Sequence, residues 1–358
     1  MKRKVAVILI ALVLAASMLL LSGCNDIEKG ESTWTPSHGD PKVQPKPTAT
    51  EDKLVAFGAY PNTVAPNNIA TAFKNIKIDE VTGLWVEEET EIKDAEGNVT
   101  GKTVCKYDIQ TGYYVYEMTE NGETTVTKYA KEGNKFFLVQ EIQWIILKDL
   151  GDSYLLVSRE LLDAKPMLDS YGQGTWEDST LRDWLNGTDE YARGGEKFVE
   201  RWNFFDRAFN ETEQAALKSV TNTTADNDDF GTPGGNTTDD LVYVFSAEEL
   251  NDAFGEVSKQ AATTPYAAKR GVVAEYKTRF GSWWLRSSGI NTFFQGVDRN
   301  GDLTEGGYAS NDTTVGVRPV ITVAKSAVGP IDNTLPTAGP IETPTPKPTV
   351  KPTDKTEG

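Results

Sequence analysis

Eleven of the 17 prolines in this 358-residue chain fall in two end segments, residues 25–53 and 330–358. Proline fixes φ and lacks a backbone N–H, so stretches such as PKVQPKPTAT and PIETPTPKPTVKPT stay extended and bury no core. Folding is thereby confined to residues 54–324, which hold seven of the eight tryptophans. That length suits one large domain carrying an insertion. The expected organisation is a signal at 1–23, a Pro/Thr-rich stalk at 24–53, one globular domain at 54–324 and a disordered Pro/Thr-rich tail at 325–358.

The chain opens with three cations, Lys2, Arg3 and Lys4, then an apolar run from Val5 to Leu21 and Leu21-Ser22-Gly23-Cys24. This is the pattern of a secretory signal. The last four residues resemble the bacterial lipobox. That resemblance implies that Cys24 is lipidated and becomes the first mature residue, so the partner at this end is the membrane, reached through acyl chains. The expected address is the bacterial cell surface, with the domain outside the cytoplasm. Residues 1–23 hold three basic and no acidic residues, so their removal takes the net charge from −17 to −20. Such acidity favours solubility and excludes nucleic acid as a partner. Only Cys24 and Cys105 are present, and lipidation of the first leaves no intrachain disulfide.

Within the globular part, residues 65–135 read as an inserted β-meander, punctuated by Glu96-Gly97-Asn98, Asn121-Gly122 and Gly133-Asn134. Thr175 stands three residues before Asp178, and Trp176, Leu181, Trp184 and Leu185 recur at helical spacing. A helix is therefore expected over 176–186, ended by Gly187. Asn210 with Glu213 and Ser246 with Glu249 mark two further helix starts, for helices over 211–220 and 247–254. In GSWWLRSSG, Trp283 and Trp284 point to opposite faces of a strand, so both are buried only if that strand is covered on both sides. Trp176, Trp184, Trp283, Trp284, Arg286 and Arg318 are read as structural, the arginines stacked or paired internally.

The ordered set FGAYP, IQWIILKD, LLVSRELLD, TWEDSTLRDWLN, Ala208-Phe209 with Glu213, VYVFSAEE, TPYA, WWLRSSG and GVRPVITV resembles a domain-of-unknown-function family of bacterial surface proteins. Its last pieces are also similar to C-type-lectin-like domains of the formylglycine-generating-enzyme type and of retroelement-diversified receptors. This resemblance implies an α+β, C-type-lectin-like domain with two to three short helices, in which a tryptophan-bearing strand and a closing arginine-bearing strand frame a ligand platform.

Several chemistries are excluded or unsupported. The only histidine, His38, lies in the stalk, so the domain holds no histidine triad or imidazole metal site. Formylglycine generation needs a cysteine pair in the C-terminal half, and none is there. Paired carboxylates remain open to a carbohydrate-active enzyme, although no motif selects a pair. DRNGD at 298–302 has alternating oxygen ligands, but Leu303 stands where a calcium loop needs glycine, and Asn300-Gly301 signals a hairpin. Neither a metal nor a cofactor is expected.

The expectation is a non-enzymatic binding module engaging an extracellular protein or glycan through residues 290–316. The side chains assigned to that surface are Phe293, Phe294, Gln295, Asp298, Arg299, Asn300, Tyr308, Asn311 and Asp312. Rigid aromatics among small polar residues are the composition of a recognition surface. A structural envelope protein is the further alternative. The anchor is checked by labelling cells with a palmitate analogue: wild type should take up label, and Cys24→Ser should remain an unlabelled, uncleaved precursor.

Overall fold

The computed structural model describes residues 53–74, 76, 88–188 and 202–332. The signal, Cys24, the stalk up to residue 52 and the tail beyond 332 lie outside the described residues. The chain begins with β1 (Leu54–Val64), α1 (Asn67–Ala72), β2 (Glu88–Lys93), β3 (Val99–Asp108), β4 (Tyr113–Glu120), β5 (Glu123–Glu132), β6 (Lys135–Asp149) and β7 (Ser153–Ser158). It continues through β8 (Glu160–Leu161), β9 (Asp163–Ala164), α2 (Thr180–Asn186), α3 (Phe204–Ala208), α4 (Glu211–Ala216), β10 (Val220–Asn222), β11 (Thr238–Asp240) and β12 (Val242–Tyr243). The last part holds α5 (Ala247–Phe254), β13 (Ala262–Thr263), α6 (Pro265–Arg270), β14 (Trp283–Ser288), β15 (Phe293–Val297), β16 (Leu303–Ala309), β17 (Gly316–Val317) and β18 (Val320–Ala324).

Local chemistry explains the meander. Glu120 opposes Glu123 across a two-residue turn, and Asn121 and Gly122 take φ of 52° and 85°, the left-handed pair that matches strand twist. Gly97 and Gly133 do the same work at the flanking turns, with φ of 88° and 60°. The meander then feeds β6, which organises the rest. Phe137 opposes Ala130 of β5 and Val64 of β1, while Ile145 opposes Val157 of β7 and Leu54 of β1. One residue has only two edges, so β1 runs along one side of β6 while β5 and β7 share the other.

The outcome is a nine-stranded sheet in the order β12-β18-β7-β6-β5-β4-β3-β2 with β1 also on β6. A five-stranded sheet, β16-β15-β14-β17-β9, packs into the same main core. A smaller core lies against the meander, where Phe73 meets the rings of Phe136, Tyr114 and Tyr129 at 5.2, 5.2 and 5.8 Å.

This architecture corrects the expected fold class. The six described helices run only five to eight residues, form no layer, and serve as corners between largely antiparallel strands, so the fold is predominantly β and not an α+β lectin-like domain. The helix expected over 176–186 begins at Thr180, because Ser179 is the cap and accepts from the Arg182 N–H; Trp176 sits in the preceding turn. The helix expected over 211–220 stops at Ala216. At the C-terminal side order extends past 324: Lys325–Ala327 form a 3-10 turn, and Asp332 and Leu54 exchange backbone hydrogen bonds of 2.8 and 3.1 Å. Among the described residues no helix is long and apolar enough to cross a membrane.

Trp144 of β6 is fully buried, and its indole N–H donates to the Phe57 carbonyl at 2.7 Å. The core of residues 151–325 is therefore completed by side chains from before residue 150. A fragment spanning 151–325 should lack a cooperative urea transition, whereas 53–332 should show one; circular dichroism of the two checks this.

Candidate functional site

β14 is buried along its whole length. Trp283 and Trp284 lie on opposite faces, both with no exposure, and their indole N–H groups donate to the carbonyls of Lys259 and Lys165, each at 3.0 Å. Arg286, two residues on, is equally buried, and all five of its N–H groups are used. Nε donates to Thr224 Oγ1; Nη1 donates to the Val244 carbonyl and Glu249 Oε2; Nη2 donates to the Thr223 carbonyl and Glu249 Oε1, at 2.6–3.2 Å throughout. Glu249 also accepts from the Ser246 N–H to close the cap of α5. Arg318 lies 5.1 Å from the ring of Phe254 and 5.0 Å from that of Trp283, and donates to the Ser158 and Lys259 carbonyls. Trp176 donates to Asp240 at 2.9 Å, and Trp184 packs against Phe204.

The expected recognition residues do not form one surface. Phe294 and Gln295 are 1% and 7% exposed and belong to the interior. Phe293, at the start of β15, is half-buried, while the four residues after it are buried. Tyr308 is half-buried, edge-on to Trp284 at 6.0 Å. The glycines of this segment are tightly packed. A side chain at Gly296 would strike the Tyr308 ring at 2.7 Å, and one at Gly307 or Gly289 would strike the backbone at 2.2 or 2.5 Å, so these glycines mark close packing and not solvent.

The remaining residues separate to the two ends of the β15–β16 hairpin. At the tip, Asp298 Oδ1 accepts from the Asn300 and Asp302 N–H groups and Oδ2 from the Asn300 amide, which commits this carboxylate to the turn. The neighbouring Arg299 carbonyl accepts from Gln260. Asn311 and Asp312 lie at the opposite end, where Asp312 accepts from the Thr314 N–H and hydroxyl, both at 2.7 Å.

That opposite end gathers four loops. Asn227 donates to the Ser288 carbonyl (2.8 Å), Thr232 to the Gly289 carbonyl (2.9 Å), and Ser288 to the Pro233 carbonyl (2.7 Å), which fastens the 226–236 loop to the end of β14. Ser310 donates to the Gly172 carbonyl and accepts from the Gly172 N–H, while its own N–H donates to Thr292. Loops 170–174, 226–236, 288–292 and 310–312 are thus laced together. They leave Tyr171, Phe230 and Ile290 exposed at 61%, 37% and 41%, with Asn291, Asn311, Asp228 and Asp229 also exposed. Sequence reasoning assigned neither Tyr171 nor Phe230, although each stands alone as an aromatic in a Gly/Asp/Asn-rich loop, SYGQG and DNDDFGTPGG. Among the described residues no group of three or more His, Cys, Asp or Glu side chains is placed to hold a metal ion.

Residues 151–325 match the model of a family described as Domain of unknown function (DUF6273), which spans all four loops. No curated protein and no solved structure matches the chain.

Truncation separates the buried from the exposed aromatics. Phe294→Ala should cost about 3–5 kcal/mol of stability. Tyr171→Ala should stay within about 0.5 kcal/mol of wild type. Urea midpoints of the two variants decide the assignment.

Proposed function

We propose that this chain is an extracellular binding module, held at the bacterial surface through acyl chains on Cys24, and that it engages a glycan or protein through the four-loop end of β14. The supporting observation is the exposure of Tyr171, Phe230 and Ile290 beside Asn and Asp side chains on loops whose backbones are tied to a buried strand. Flat rings cover a sugar face or an apolar side chain at little entropic cost, and amide and carboxylate groups beside them fix orientation. Loops already fastened lose little freedom on binding, so contacts made there translate efficiently into affinity.

This reading keeps recognition at the C-terminal half but moves it from the 290–316 hairpin as a whole to one end of it, joined by two loops distant in sequence. Glycan arrays and whole-cell binding test it. Tyr171→Ala and Phe230→Ala should each weaken binding about 30-fold, the effect of losing about 2 kcal/mol at a hot spot, with unchanged melting. Leu303→Ala, at the other end of the hairpin, should bind as wild type. Equal binding by all three variants removes the loop cluster as the site.

A further inference from the structure

Arg207 of α3 is half-buried, unlike the fully buried Arg286 and Arg318. Its guanidinium carbon lies 4.6 Å from the centre of the Tyr113 ring and 5.6 Å from that of Tyr60, and it hydrogen-bonds Tyr266. Ring faces attract a cation without neutralising it. Burial raises all three phenols above their ordinary range, Tyr113 to about 12, so none supplies a phenolate at neutral pH. The carboxylates of this neighbourhood serve another residue: Asp163 and Glu132 both pair with Arg270, at 3.1 and 3.0 Å, and Asp163 also accepts from the Tyr60 hydroxyl at 2.7 Å. Among the described residues Arg207 has no ion pair, and its buried Nε–H has no acceptor. A sheltered cation without a counter-ion is costly unless something outside the chain supplies one.

Arg207 also lines a cleft of about 650 Å³, together with Ala56–Ala59 of β1, Val139 of β6 and the exposed Lys128 and Glu141. The cleft's Glu213 is spent on the Gly58 and Asn210 N–H groups, at 3.2 and 2.9 Å, and does not reach the guanidinium. Lys128, like Arg207, makes no ion pair among the described residues.

We propose that this cleft is a second ligand site, for a small carboxylate-bearing molecule whose charge is met by Arg207 and, at the rim, by Lys128. A carboxylate supplies the missing charge and an acceptor together. A monoanion suits the cleft better than a phosphate dianion, because Glu141 and Asp332 also line it and repel further negative charge. A uronic-acid sugar and the free C-terminus of a short peptide carry the same group.

Isothermal titration of the soluble mature chain distinguishes these sources. The probes are a glucuronate disaccharide, N-acetyl-dialanine, and the amide of that dipeptide. At least one carboxylate should bind, and the amide should bind at least tenfold more weakly than its acid. Arg207→Lys should weaken binding about tenfold. Because a change at the half-buried Arg207 risks the fold, the exposed rim provides a second reading: Lys128→Ala should weaken binding a few-fold and Glu141→Gln should strengthen it a few-fold. Tyr171→Ala should leave it unchanged, which separates this site from the loop cluster. Failure of both carboxylates to bind, an amide that binds as tightly as a dipeptide acid that does bind, or indifference to the two rim variants overturns the proposal and assigns Arg207 to the tyrosine cluster alone.

Discussion

A guanidinium without access to water must find an acceptor for each of its five N–H groups, and Arg286 does so within one shell of the fold. Its partners come from three places: the residues leading into the 226–236 loop, the end of β12, and the cap of α5. Those segments are held in register by one side chain of β14. The same strand carries Trp283 and Trp284 to opposite faces, so β14 is fixed by shape on both sides and by hydrogen bonds at its centre. Lysine could not replace Arg286, since three donors on a point charge cannot reach five acceptors arranged as a planar fork. The carboxylate of Glu249 is equally committed, because it closes a helix cap and pairs with the fork at once.

The loop cluster inherits its position from this arrangement. Thr223 and Thr224 are gripped by Arg286, and a few residues later Asn227 and Thr232 grip the Ser288 and Gly289 carbonyls, so the segment carrying Phe230 is pinned on both sides of its turn. Gly234 and Gly235 occupy places where a Cβ would strike the Thr224 carbonyl at 2.1 Å and the Thr175 hydroxyl at 2.5 Å. A glycine-rich loop is easily read as flexible, but here the glycines allow the backbone to pack close. Exposed aromatics on a stiff support and buried polar side chains beneath them are parts of one construction, in which the residues that fix the loops and the residues the loops expose are different ones.

Features set by a few neighbouring residues were legible in the sequence. The capping boxes at Asn210/Glu213 and Ser246/Glu249 are present, and so are the turns at Gly97, Asn121-Gly122 and Gly133, because each is decided by local donors and φ preferences. What was not legible depends on partners far away in sequence. The periodicity of Trp176, Leu181, Trp184 and Leu185 fits a helix, yet Trp176 is drawn into a turn by Asp240, 64 residues on. Phe293 and Phe294 are indistinguishable by composition, and only the pairing of β15 with β14 and β16 decides which one faces inward. Tyr171 and Phe230 lie too far from residue 290 for any local pattern to join them. A solitary aromatic in a glycine-rich loop was the available signal, and it points to exposure without saying which loops meet.

The matched family segment starts at residue 151, but the physical unit does not. β7 is paired on one edge by β18, inside the matched segment, and on the other by β6, outside it. Phe57, Tyr60 and Trp144 then fill the core from β1 and β6. β6 sends Phe137, Ile142 and Trp144 into this core while its Lys135, Glu141 and Asp149 stay at the surface. Arg286, with five bonds to satisfy, and Gly234, with no room for a methyl group, tolerate almost nothing. The matched segment therefore holds the polar network and the close-packed glycines, while Phe57, Tyr60 and Trp144, which fill the same core, lie before it.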